Sequence, residues 1–183
     1  MRFIVKKINF LIRLAKEGKL QAVEPSEEIK QAYLQRSNES LSSAKALFKI
    51  GNLKDAVALA YYSMYHCLLA ALFQTGIKCE NHAAAILLLK AVYGIDNVKI
   101  AKAKAERIDK QYYVDFSVTQ EEAGTSITVA EEFINQMNNF IAILNLEKIK
   151  EYHDKAIHLF TEDEKEKGNG ENKKEKHEEH RSE

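Results

Sequence analysis

At 183 residues the chain fits one domain with appendages better than two domains. Its 27 basic and 27 acidic residues cancel, so the electrostatic footprint of a dedicated DNA binder is missing. One proline, seven glycines and abundant Lys, Glu, Ala and Leu point to an all-helical protein, and two cysteines, Cys67 and Cys79, are too few for a disulfide framework. They read as free thiols in a reducing, cytoplasmic compartment.

In "MRFIVKKINFLIRLAKEGK", Lys6, Lys7, Asn9 and Arg13 interrupt the apolar residues, so no signal-peptide apolar region forms. Ile4, Ile8, Leu11, Ile12 and Ala15 recur at helical spacing, which predicts a short amphipathic helix packing on the domain or on a partner. Glu24-Pro25-Ser26 marks a boundary, with Pro25 read as lying in the first turn of the next helix and Glu27 and Glu28 suiting its positive end. That helix carries Ile29, Tyr33, Leu41, Ala44 and Phe48 and should stop at Gly51. Asn52 then caps a second helix from about Leu53 to Gly76, antiparallel to the first because the turn is short.

A loop, "IKCEN", precedes a short helix, "HAAAILLLKAVYG", closed by Gly94. Asn97 can cap a fourth helix through "VKIAKAKAERIDKQYY", and Thr119 with Glu122 forms a capping box opening a long fifth one. In it Ala123, Ile127, Ala130, Ile134, Met137, Ile141 and Leu144 alternate at four and three residues. This seam demands a neighbouring helix, in this chain or in a second copy. A last helical stretch, about Leu146 to Phe160, leads into "TEDEKEKGNGENKKEKHEEHRSE", whose composition predicts disorder. The expected division is therefore residues 1–24, a helical bundle over 25–160, and a charged tail over 161–183.

The stretch "AYYSMYHCLLAALFQTG" is long enough to raise the membrane question. Ser63 and His66 sit in its middle, and Tyr61, Tyr62 and Tyr65 cluster centrally rather than at interfacial ends. It reads as the central helix of a soluble bundle, its hydroxyls and His66 reaching polar partners at the bundle edge. Cys79-x-x-His82 has local zinc-like spacing, but His66 and Cys67 point about 100° apart on a helix, so no metal or other cofactor is expected. No nucleophile elbow, phosphate-cradling glycine loop or His-Glu-x-x-His helix occurs.

"DAVALAYYSMYHCLLAALFQTGIKCENHAAAILLL" resembles the core of the HEPN domains through Ala60, Tyr61, Tyr62, Met64, Tyr65, His66 and Leu68, with His82 after the loop. "AERIDKQYYVDFSVTQEEAGTSITVAEEFI" is similar to the ending of the UPF0332 group of that family, through Arg107, Tyr112, Tyr113, Asp115, Ala123, Ala130 and Phe133. The resemblance implies an all-α antiparallel helical bundle of four to five core helices, here with an extra N-terminal helix. It also implies a homodimer and, for many members, metal-independent RNA cleavage by an Arg-x(4–6)-His motif. None of the five arginines, Arg2, Arg13, Arg36, Arg107 and Arg181, has a histidine at that distance downstream. After Arg107, Tyr112 stands where the histidine would be, and a phenol is a poor general base at neutral pH.

The resulting expectation is a non-catalytic binding subunit paired with a small nucleotidyltransferase in a toxin–antitoxin-like module. Its RNA or nucleotide ligand would meet Arg107, Asp109, Tyr112, Tyr113, His66 and His82. The alternatives are an RNA-cleaving toxin with an atypical site around Arg107 and Tyr112, and nucleotide binding in the bundle cleft.

Overall fold

A computed structural model describes residues 2–112 and 117–161. Tyr113, Asp115 and the tail beyond Thr161 lie outside the described residues, as do the side chains of Asp109 and Tyr112. In chain order the elements are α1 (Arg2–Lys16), β1 (Leu20–Ala22), α2 (Glu27–Lys49), α3 (Leu53–Gln74), β2 (Ile77–Cys79), α4 (His82–Ala91), α5 (Val98–Tyr112), α6 (Gln120–Ala142) and α7 (Leu146–Thr161). The fold is an all-α antiparallel helical bundle, joined by one two-stranded ribbon.

Helix α3 is the axis of the bundle, packed by α2, α6, α5 and α4. It is apolar on nearly every face because nearly every face meets protein. By length and a mean hydropathy of 1.5 it could cross a membrane, yet 72% of its most apolar window is buried inside the bundle. Cys67, Leu68, Leu72 and Ala70 are fully covered, as are Ala130 and Met137 of α6, and Ile127 and Ile134 beside them are buried in the same cluster. The α6 seam is thus spent against α3 of the same chain. A Lys45–Glu131 ion pair and the packing of Phe48 against Gly124 run α6 antiparallel to α2.

Local signals end the helices where the side-chain chemistry requires. Ser26 Oγ accepts from the Ile29 N–H, so Ser26 is the N-cap of α2 and Pro25 lies one residue ahead of the cap, not in the first turn. Gly51 closes α2 at φ +79°. The Thr119–Glu122 capping box forms in full, each side chain meeting the other residue's backbone N–H. Asn52 stands at the start of α3, but its amide donates to Asp55 Oδ2 and makes no cap bond.

The ribbon is the one departure from the expected elements. The predicted loop "IKC" is β2, paired antiparallel with β1, Gln21 standing opposite Lys78 and Leu20 opposite Cys79. Each strand is too short for alternation to be legible alone. Leu11, Leu14 and Leu20 share one buried cluster with α3 and α4, so the N-terminal helix packs on its own bundle.

Candidate functional site

Four aromatic rings on α3 recur at i and i+4, which stacks them in two columns along the helix. Tyr61 and Tyr65 have centroids 6.2 Å apart with an 18° interplanar angle, and Tyr62 and His66 are 6.1 Å apart at 22°. Asn81 caps α4 by accepting the Ala83 and Ala84 N–H groups, which fixes His82 in the first turn. The His82 ring lies on Tyr65 at 3.8 Å and 10°, and its Nδ1 is 2.6 Å from the Tyr61 hydroxyl. From α5, Arg107 Nη2 donates to the Tyr62 hydroxyl at 2.6 Å, with the guanidinium carbon 4.8 Å from the Tyr62 centroid and 5.9 Å from that of Tyr61. Arginine and both histidines are thus joined by three tyrosines.

Proton counting assigns the two imidazoles. Burial pushes the Tyr61 phenol well above its ordinary value against the pull of Arg107, so it keeps its proton. Its hydroxyl has no other acceptor among the described residues, so it donates to His82 Nδ1, and the neutral ring carries its proton on Nε2. Burial, then Arg107 and Lys104, holds His82 below the usual histidine range. His66 is the mirror case. Ser40 spends its one hydroxyl proton on the Arg36 carbonyl at 2.8 Å, so His66 Nδ1, 3.2 Å away, must donate to Ser40 Oγ. Its Nε2 is therefore a bare acceptor. Burial, then Arg36, pushes His66 down to about 4, against a raising contribution from the Arg36 carbonyl.

Arg107 has no acidic partner among the described residues, and its buried Nε has no hydrogen-bond partner there. A guanidinium in that position retains N–H donors for an incoming anion. Beside it stand a neutral Nε2–H donor on His82 and exposed edges of half-buried rings. That set can hold a phosphate and stack a base. His82 itself is poorly equipped as a general base, because its Nδ1 already accepts from a phenol that holds its proton.

Of the residues expected from sequence, Arg107, His66 and His82 come together. Tyr61, Tyr62 and Tyr65, expected only as edge-reaching polar groups, turn out to hold all three. Their i, i+4 spacing on an otherwise apolar helix was the available signal. The zinc-like pair does not assemble: Cys79 Sγ donates to the Asn81 carbonyl while His82 turns to Tyr61. Among the described residues no three of His, Cys, Asp or Glu converge. Cys67 is buried against Asn138, and burial pushes its thiol up to about 12.

The HEPN domain family model matches residues 30–140, which include every side chain of this cluster. The Methanocaldococcus jannaschii protein named "Putative toxin MJ0605" is 33% identical over 118 residues, 61% of this chain and 87% of its own length. The Pyrococcus horikoshii protein named "UPF0332 protein PH1297" is 38% identical over 60 residues, 33% of this chain and 42% of its own length. The chain belongs to the HEPN domain family, in its UPF0332-like branch.

Proposed function

We propose that this HEPN-domain protein is a binding subunit of a toxin–antitoxin-like pair, holding an RNA or nucleotide phosphate at Arg107 without cleaving it. The observation that carries this reading is the Tyr61–His82 hydrogen bond. It makes the histidine nearest Arg107 a neutral donor rather than a general base. The partner of the pair is a small nucleotidyltransferase, and the protein acts in the cytoplasm as a homodimer. Because the α6 seam is occupied by α3, the dimer uses another face, and the family resemblance supports the dimer rather than the seam.

Incubation of purified protein with transfer and messenger RNA tests the reading, with Arg107→Ala as control. Binding that is lost in Arg107→Ala, with no cleavage by either protein, is expected. Cleavage that disappears in Arg107→Ala would instead establish the second reading, an RNA-cleaving toxin; the Methanocaldococcus relative's name bears on the toxin part of that reading alone. Co-purification with a nucleotidyltransferase encoded beside the gene tests the partner. Light scattering at micromolar concentration tests the dimer, which a monomer alone would exclude.

A further inference from the structure

Across His66 from Arg107 lies a concavity of about 320 Å³ between α2, α3 and β2. Its floor is ring surface: Tyr33 stacks on Phe73 at 5.4 Å and 16°, and Tyr33 and His66 have centroids 6.2 Å apart. Its rim carries Arg36 and Lys78. Lys78 is tied to Glu80 at 2.9 Å, whereas the exposed Arg36 guanidinium has no acidic partner among the described residues, so the rim is net positive. The volume stands at the small end of ligand sites, enough for one compact group. One turn of α3, about 6 Å, separates Tyr62, which holds Arg107, from His66, which walls the concavity.

We propose that this concavity is a second subsite, seating one nucleotide unit of a single strand with its base on the rings and its phosphate on Arg36 and Lys78, next to the unit held at Arg107. Rings are sequence-tolerant platforms for bases, and paired cations follow the backbone. The outer wall has its own origin. Lys78 stands on β2, which is held by β1, and the Glu80 N–H donates to the Lys19 carbonyl at 2.9 Å. Residues ahead of the family-matched segment therefore support one wall of this subsite from behind, although every lining residue lies within that segment.

The proposal rests on Arg107 facing nucleic acid, and the test separates the two. Fluorescence anisotropy with labelled mononucleotide and hexanucleotide, in ribo and deoxy forms, is measured across a salt series. Arg36→Ala should weaken hexamer binding about tenfold and flatten the slope of log affinity against log salt by about 0.7. The same variant should leave the mononucleotide unchanged, and Lys78→Ala should act in the same direction. Arg107→Ala should weaken both lengths. Loss on both ribo- and deoxyhexamer identifies any single strand as occupant; loss on the ribohexamer alone identifies RNA. Hexamer binding untouched by Arg36→Ala and Lys78→Ala but lost in Arg107→Ala would overturn the second subsite and leave the first standing. No binding of any oligonucleotide by the unaltered protein would overturn both.

Discussion

Acid should destabilise this protein through His66. Burial, and then Arg36, keeps its imidazole neutral down to about 4, whereas the ordinary value is 6.5. Between those values an unfolded chain takes up a proton that the folded chain refuses, so stability falls as pH falls. The full stability is present above the unfolded value and the loss is complete near the folded one. At about 1.4 kcal/mol per pH unit, that interval sets a ceiling of about 3.4 kcal/mol. His66 is only half-buried, and solvent at the ring screens part of the penalty, so roughly half the ceiling, about 1.5–2 kcal/mol, is expected. Urea denaturation at about pH 7.5 and about pH 4 reads the difference. The comparison is His66→Asn, whose amide can donate to Ser40 in place of Nδ1 but takes up no proton. The unaltered protein should lose about 1.5–2 kcal/mol more than the variant over that interval. His82 titrates in both proteins and cancels. Equal losses would refute the assignment of the acid sensitivity to His66.

Two further substitutions probe the assembly of the site. Tyr61→Phe removes the hydroxyl that donates to His82 Nδ1, at a cost of about 1–2 kcal/mol. Nitrogen NMR of His82 should then show the Nε2–H form giving way to a mixture, and an unchanged tautomer would contradict the proton count. Gly76→Ala should cost more than about 2 kcal/mol in a thermal melt, since its φ is +72° and an added methyl falls on the Val23 carbonyl and the His153 ring. Gly94→Ala, at the same φ with open space around it, should cost only about 1 kcal/mol; equal losses at the two positions would remove the packing argument.

What could be read from the chain followed from strong local chemistry. Thr119 and Glu122 are three residues apart and satisfy each other, so the start of α6 was legible without any tertiary information. Gly51 and Gly94 marked helix ends because their positive φ is tolerated by glycine. The strands were hidden because three residues carry no period, and their pairing joins positions some sixty residues apart. Pro25 was placed two positions too far into the helix because Ser26, the better cap, stood beside it. At the site, Arg107 was found from the resemblance and His82 from its place after the loop. Tyr62 as the arginine's partner, and Arg36 and Tyr33 as neighbours of His66, were not, because each contact joins different helices. A spacing rule within one helix cannot report which face of another helix it will meet.

The ribbon that ties the N-terminal segment to β2 separates two properties along the chain. Arg107, Tyr62 and His82 are placed by α3, α4 and α5, all inside the span that the family shares. The wall carrying Lys78 depends on Lys19 and Gln21, which precede that span. A chain that altered only those leading residues could keep its phosphate anchor and change what fits beside His66. Affinity and selectivity can then drift independently, one fixed by the bundle and the other by what is joined to its front.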